Sequence, residues 1–144
     1  ANLRRLPGMV LAVEGASDVA ALLTLNLPAI GRPSNTGGVE HLAQYLWRRD
    51  VVVIGENDRK PGGKTDGTDH WPGRDGAKLV AEKLASYWKR PVWWALPPQG
   101  YKDVRKWLLS GAPGGDLLTQ LSYQVAGNER ARNAMDHLRK LKAS

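Results

Sequence analysis

Short apolar runs alternate along this chain with stretches of helical period, and this alternation constrains the fold more than any other feature. Four runs have the length of strands and no helical spacing; they cover residues 9–13, 28–31, 51–54 and 92–96. Between and after them, apolar residues recur at the i, i+3, i+4 and i+7 spacing of amphipathic helices. Strands that alternate with helices predict an α/β fold, here with a mainly parallel sheet of about four strands and helices on both faces.

The alternation stops after residue 111, so we expect a boundary there. Pro113-Gly-Gly115 predicts a linker, and two further helices are predicted over about residues 116–125 and 128–142. The prediction is one α/β domain over residues 1–111 followed by a helical extension over residues 112–144. Because the sequence begins with neither Met nor a signal-peptide pattern, we expect a fragment of a longer protein.

Composition excludes several classes of site. The chain has no Cys and only three widely spaced His, which excludes disulfides and thiolate metal sites and argues against zinc. No apolar run approaches the roughly 18 residues of a membrane span, so we expect no membrane partner and a cytoplasmic location. The net charge of +7 favours a polyanionic partner such as nucleic acid, although many basic proteins bind none.

Acidic residues from distant parts of the chain fall where predicted strands end or the next helices begin. Ligands bind at the carboxyl ends of strands in open α/β sheets, so these carboxylates should gather at one edge. Grouped carboxylates repel each other unless a cation neutralises them, and an all-oxygen set suits Mg²⁺ or Mn²⁺. Such ions stabilise the charge that develops in phosphoryl transfer. The five acids are Glu14, Asp18, Glu56, Asp58 and Asp103.

The segments that carry these acids resemble the Toprim domain, a magnesium-binding α/β module. Val-Glu-Gly-Ala-Ser-Asp at 13–18 resembles its Glu-Gly-x-x-Asp motif, and Val-Val-Ile-Gly-Glu-Asn-Asp at 52–58 resembles its strand followed by Asp-x-Asp. Gly76-Ala77 is similar to the glycine and alanine that follow that motif. The segment 96–103 resembles the Pro…Lys-Asp element of primases and phage-type primase-helicases. The similarity covers about residues 8–111.

The resemblance implies a Toprim-like Rossmannoid fold and Mg²⁺-dependent nucleotidyl or phosphoryl transfer on nucleic acid. It points most directly to a primase-type nucleotidyltransferase, as part of a DNA primase or primase-helicase. The implied catalytic residues are Glu14, as metal ligand or general acid/base, and Glu56 and Asp58, as Mg²⁺ ligands. The implied partners are single-stranded DNA, nucleoside triphosphates and further domains of the parent protein, such as a helicase or a template-binding domain.

Other roles implied by the resemblance are secondary. Asp18 and Asp103 would be outer or second-metal ligands, although both could do no more than cap helices. Lys102 would contact phosphate or a nucleotide. Two departures matter: Glu56 replaces the family's first Asp, and Val104-Arg105 stands where primases carry another acid. A Toprim nuclease, a topoisomerase-like enzyme and a non-catalytic nucleic-acid-binding module therefore stay open as alternatives.

Basic and turn-forming residues provide candidate phosphate contacts. Arg32 and Asn35 precede a predicted helix N-terminus, where backbone N–H groups can hold phosphate. The polar loop after Asp58 is expected either to clamp phosphate or a single strand, or to be a solvated insertion. Its Gly63-Lys64-Thr65 is not a P-loop, because that motif needs Gly at position 58. The basic candidates in and beside the loop are Arg59, Lys60, Lys64 and Arg74.

Overall fold

The computed structural model describes residues 9–34, 36–111 and 121–127. Strands and helices alternate through most of these ranges, as predicted. The elements are β1 (Val10–Val13), α1 (Ala16–Leu23), β2 (Ala29–Gly31), α2 (Val39–Tyr45), β3 (Val51–Ile54), α3 (Pro72–Trp88), β4 (Val92–Leu96), α4 (Val104–Leu109) and β5 (Ser122–Ala126).

The strands form one sheet in the order β2-β1-β3-β4-β5. The first four strands are parallel, and β5 is antiparallel to β4. Helices α2 and α3 pack on one face of the sheet, while α1 and α4 pack on the other. The predicted α/β class, with a mainly parallel sheet between two layers of helices, is therefore confirmed.

The two central strands explain why the sequence pattern is so clear. Strands β1 and β3 are buried along their whole length, because helices cover both faces of the sheet. A strand buried on both faces has a continuous apolar run instead of an alternating one. On β3 the run consists of β-branched residues, which suit a pleated and fully packed strand.

The prediction for the C-terminal part is corrected in one respect. The helix predicted over about 116–125 overlaps β5, which pairs with β4 from Val92↔Ala126 to Leu96↔Ser122. A helix there would leave the backbone groups of β4 unpaired along one edge, and pairing satisfies them. The sheet thus has five strands instead of four, and the fifth comes from the segment predicted to be a helical extension. The helix predicted over 128–142 lies outside the described residues.

None of the helices in the described ranges combines the length and the apolarity needed to cross a bilayer. The longest of the described helices, α3, has 17 residues and alternates buried with exposed positions. Its buried stripe includes Ala77, Val80, Ala81 and Leu84, which is the amphipathic pattern of a helix packed on a sheet.

Gly55 allows α3 to pack directly against the end of β3. A Cβ atom at this position would lie 2.7 Å from the carbonyl oxygen of Gly73 and 2.8 Å from Cβ of Ala77, closer than packed interiors permit. Gly73 is equally confined, since a Cβ there would lie 2.8 Å from Asp58 Oδ1. These two glycines bring the first turn of α3 onto the segment that carries Glu56 and Asp58.

Replacing Gly55 with alanine should destabilise the fold. The new methyl group would push α3 away from β3, and overpacking of this kind costs about 1–3 kcal/mol. Gly31→Ala is the matched control, because a Cβ there meets only Val19 Cγ2, at 3.4 Å. Urea denaturation should show a clearly lower midpoint for Gly55→Ala than for Gly31→Ala. Equal midpoints for the two variants would contradict this explanation of the glycine.

Candidate metal centre at the carboxyl edge of the sheet

The acids predicted from the sequence reach one edge of the sheet because the strands that precede them end together. Glu14 follows β1 directly, and Glu56 follows β3 after the single residue Gly55. The parallel register pairs Ala12 with Val53 and Ile54 with Ala95, so the carboxyl ends of β1, β3 and β4 are level. Asp103 opens α4 beyond the end of β4.

Neighbouring carboxylates repel the charge of Glu56. Burial raises the pKa of Glu56 above its ordinary value, and the negative charge of Glu14 raises it further. Asp58 and Asp103 add smaller contributions to the raised pKa of Glu56, while the Lys102 ammonium opposes them. The Lys102 Nζ atom lies 3.8 Å from Glu56 Oε2. The pKa of Glu56 is therefore raised by acids from two other segments of the chain, Glu14 and Asp103, and by Asp58 in its own segment.

Asp18 belongs to the same electrostatic group. Only 6% of its surface is exposed, and burial is the main cause that raises the pKa of Asp18. A hydrogen bond from the backbone N–H of Arg105 lowers the pKa of Asp18, whereas the charges of Asp103 and Glu14 raise it. Glu14 and Asp103 thus act on both Asp18 and Glu56, and repulsion of this kind is what a divalent cation would relieve.

Three of these carboxylates also bind backbone N–H groups. Asp58 Oδ1 accepts from the N–H of Gly73 at 2.7 Å, next to the start of α3. Asp103 Oδ1 accepts from the N–H of Lys106 at 2.7 Å and is the N-cap of α4. Asp18 Oδ1 accepts from the N–H of Arg105 at 3.0 Å. Asp18 and Asp103 therefore have the capping role considered for them from the sequence. Both accept hydrogen bonds from backbone N–H groups at the N-terminal end of α4.

The donor set suits a hard cation. It consists of carboxylate oxygens, which Mg²⁺ and Mn²⁺ prefer. Burial is the main cause that raises the pKa of Glu56 and Asp18, and repulsion by neighbouring carboxylates raises it further. Among residues 9–34, 36–111 and 121–127, however, no group of three or more His, Cys, Asp or Glu side chains is positioned to hold one ion. Metal binding would therefore require some of these side chains to adopt other rotamers.

Arg32 lies beneath the carboxylates. It follows β2, is 3% exposed, and donates from Nη2 to the carbonyl oxygen of Ile54 at 3.1 Å. Burial lowers the pKa of Arg32, and the charges of Glu14 and Glu56 counteract that effect. The guanidinium thus supports the end of β3, and its burial leaves little surface for the phosphate contact predicted for it. Asn35, predicted beside it, lies outside the described residues.

The polar loop after Asp58 folds back on itself over residues 59–70, and we call this segment the hairpin. Lys60 and His70 form an antiparallel bridge with N–H···O distances of 2.6 and 2.8 Å. Arg59 Nε contacts Asp69 Oδ2 at 2.6 Å across the base of the hairpin. Lys60 and Lys64 are exposed on it. The hairpin leads into Trp71, the N-cap of α3, whose ring lies 5.1 Å from the Arg74 guanidinium.

Asn57 was not singled out from the sequence, yet it fixes the segment that follows β4. Its Nδ2 donates to the carbonyl oxygens of Tyr101 at 2.8 Å and Pro97 at 3.0 Å. Its backbone N–H donates to the carbonyl oxygen of Lys102 at 2.6 Å. A polar residue between two acids at a strand end was the available signal. Asn57 holds residues 97–102 next to Glu56 and thereby positions Lys102.

Comparisons with known proteins do not identify a family for this chain. A scan against models of protein families finds no match. A search among curated proteins finds no match either. The Toprim resemblance therefore stays a prediction that the chain's own motifs carry.

Glu56→Gln should stabilise the metal-free protein at neutral pH. Burial and Glu14 raise the pKa of Glu56 in the folded state above its ordinary value of 4.5, so the ionised side chain opposes folding. The folded state keeps the proton to higher pH than the unfolded chain, and stability therefore falls as pH rises through the folded pKa. The gain from Gln should be largest above that pKa and should shrink as pH falls towards 4.5.

The control for this prediction is Glu82→Gln, which changes an exposed carboxylate on α3. Urea midpoints in the presence of EDTA, followed from acidic to neutral pH, measure both variants. The control should follow the wild type at every pH. A Glu56→Gln protein that is less stable than the wild type at pH 7 would show that repulsion does not dominate at this position.

Asn57→Ala should loosen the segment 97–102. The change removes the side-chain donors to Tyr101 and Pro97, and loss of partners for buried carbonyl groups costs about 1–3 kcal/mol. Hydrogen exchange at the amides of 99–102 should accelerate while exchange in β3 changes less. Gln99→Ala, an exposed change in the same segment, is the control and should leave exchange unaltered. Similar exchange in both variants would contradict the anchoring role.

Proposed function

We propose that this chain is a primase-type Toprim domain that carries out nucleotidyl or phosphoryl transfer on nucleic acid with Mg²⁺ or Mn²⁺. One observation carries the proposal: acids that are remote in the sequence stand at the carboxyl edge of the sheet, where burial and the charges of Glu14 and Asp103 raise the pKa of Glu56 and Asp18. Such repulsion opposes folding, and a divalent cation would convert it into attraction. An enzyme of this class would act in the cytoplasm.

The residues that would hold the ion are Glu14, Glu56 and Asp58. A bound Mg²⁺ would supply electrostatic stabilisation of the phosphoryl group during transfer. Asp58 is oriented by the N–H of Gly73, which leaves its second oxygen for a ligand. Glu14 and Glu56 are half-buried at the ends of adjacent strands, so water has limited access to their carboxylates.

The neighbouring residues would bind and orient a polyanionic substrate. Lys102 is exposed and lies 3.8 Å from Glu56, so a phosphate that approaches the carboxylates meets a cation at the same place. Asn57 keeps Lys102 there through the hydrogen bonds to the segment that carries it. Asp18 and Asp103 hold the N-terminal end of α4 beside the site.

The position of Lys102 favours the primase branch over the other Toprim enzymes. It belongs to the segment that resembles the Pro…Lys-Asp element of primases, and it lies beside a proposed metal ligand. Single-stranded DNA as template and nucleoside triphosphates are the substrates that this assignment implies. A nuclease or topoisomerase-like enzyme is the second candidate, because it would use the same carboxylates.

Metal binding tests the proposal most directly. Titration of the full chain with Mn²⁺, followed by electron paramagnetic resonance, should detect a site that Mg²⁺ displaces. The double variant Glu56→Gln, Asp58→Asn should bind Mn²⁺ at least about tenfold more weakly, since it removes two anionic ligands. Glu40→Gln, Glu82→Gln removes two exposed helical carboxylates and should bind like the wild type. Equal affinity in both double variants would refute the site.

Activity assays separate the enzyme classes once metal binding is established. Primer synthesis on single-stranded DNA and cleavage of plasmid DNA are measured with the same preparation. Synthesis that is abolished in Glu56→Gln, Asp58→Asn supports the primase reading, whereas metal-dependent cleavage supports the nuclease reading. A chain that binds no Mn²⁺ and performs neither reaction is the non-catalytic module.

A further inference from the structure

A cavity of about 570 Å³ lies beside the carboxylate edge, between the hairpin and the segment that follows β4. We call it the hairpin pocket. Cationic and aromatic side chains make up much of its wall, and no acidic residue lines it in the described part of the chain. Its volume is in the usual range for small-molecule sites, about 300–1,000 Å³. The cationic lining residues are Arg59, Arg74 and Lys102, the aromatic ones are Trp71 and Tyr101, and Gln99 also lines the pocket.

The three cations give the hairpin pocket a preference for anions. Each also contacts a carboxylate that is not part of the wall: Arg59 with Asp69, Arg74 with Asp75, and Lys102 with Glu56. These cations are 39–54% exposed as side chains, and ion pairs so open to water contribute little. A phosphate group carries more charge and more acceptor oxygens than one carboxylate, so it can replace these partners.

The aromatic residues give the same pocket a preference for a planar group. Trp71 and Tyr101 are half-buried, and Leu96 and Pro97 add apolar surface. The Arg74 guanidinium over the Trp71 ring combines a cation with an aromatic face. Surfaces that alternate aromatic rings with cations bind bases by stacking and phosphates by charge. A nucleotide has both groups joined in one molecule.

Both walls of the hairpin pocket are held in place before any ligand binds. The hairpin is closed by the two backbone hydrogen bonds between Lys60 and His70. The opposite wall is held by the hydrogen bonds of Asn57 to the segment 97–102. A preformed site loses little conformational entropy on binding, so more of the interaction energy appears as affinity.

We propose that the hairpin pocket binds one nucleotide, with its base against Trp71 and Tyr101 and its phosphate at Arg59, Arg74 and Lys102. The occupant is either a free nucleoside triphosphate or one nucleotide of a single strand, since both present the same chemistry. This inference deepens the proposed function and rests on it for its purpose, because Lys102 joins the pocket to Glu56. Gln99 at the rim can exchange hydrogen bonds with a base edge.

Binding by the full chain in EDTA tests the inference without any contribution from metal. The probes are ATP, GTP, CTP and UTP, each followed by tryptophan fluorescence and calorimetry, and a fluorescein-labelled oligo(dT) followed by anisotropy. Trp71→Leu and Arg74→Gln should each weaken binding about tenfold or more, the loss typical of a base-stacking residue. Tyr101→Leu and Lys102→Gln, on the opposite wall, should act in the same direction.

Matched controls lie close to the pocket or carry the same side chains elsewhere. Lys78→Gln and Lys83→Gln remove exposed cations of α3 that do not line the pocket, and Trp47→Leu removes an exposed indole after α2. These variants should keep affinity within about twofold. Because Trp71 is also the N-cap of α3, its replacement affects the fold as well as the pocket. Thermal unfolding identifies any variant that fails to fold. If Trp71→Leu fails to fold, nucleotide binding by Tyr101→Leu and Lys102→Gln tests the inference instead.

The triphosphate and oligo(dT) measurements together identify what occupies the hairpin pocket. Triphosphate binding without oligo(dT) binding identifies a site for the incoming nucleotide, and the reverse identifies a site for the strand. Binding of neither, or equal losses in the Lys78 and Lys83 controls, overturns the inference. Because Mn²⁺ binding is measured separately without nucleotide, failure of the hairpin pocket is distinguishable from failure of the metal site.

Discussion

The absence of side chains at Gly55 and Gly73 is the constraint on which the candidate site depends. These two positions let the start of α3 meet the end of β3 at a distance that no larger residue permits. The N–H of Gly73 then reaches Asp58, and the acids after β3 are held at the rim instead of extending into solvent. Close backbone approach at a strand end is a general use of glycine, and here it decides where the carboxylates lie.

Repulsion between carboxylates distinguishes this edge of the sheet from one where acids only cap helices. Asp18 and Asp103 do cap α4, and capping alone would account for both. Glu14 and Glu56 have no such duty among the described contacts, although Glu56 contacts Lys102. Burial of Glu56 beside the Glu14 charge is unfavourable for the apo protein. Functional sites are where proteins retain such unfavourable arrangements.

Much of the fold could be predicted because its signals are local. The strands β3 and β4 have the predicted bounds, since each is an uninterrupted apolar run between polar or turn-forming residues. The positions of Glu14 and Glu56 at the ends of β1 and β3 were also predicted, because each follows an apolar run almost directly. By contrast, β5 was predicted as helix, because its pairing with β4 is a contact between distant segments that no local pattern records. Tertiary pairing outweighs local propensity in such cases.

The parts of the site that sequence reasoning missed depend on backbone partners. Asn57 acts through the carbonyl groups of a segment about 40 residues away, and side-chain identity does not reveal such acceptors. The sequence predicted either a phosphate clamp or a solvated insertion for residues 59–70, and the backbone pairing of Lys60 with His70 could not be predicted from it. Charge and spacing thus predicted which acids stand where β1 and β3 end and where α4 begins, while the hydrogen bonds around them required coordinates.

The position of β5 has a practical consequence for anyone who works with pieces of this chain. A protein trimmed after residue 111, where the alternating pattern ends, would lose the strand that pairs with all five residues of β4. The exposed backbone of β4 would then be a template for another chain, and self-association through that edge would follow. The smallest unit that keeps all five strands therefore extends at least through Ala126. A C-terminal boundary chosen from hydrophobic periodicity alone would remove β5.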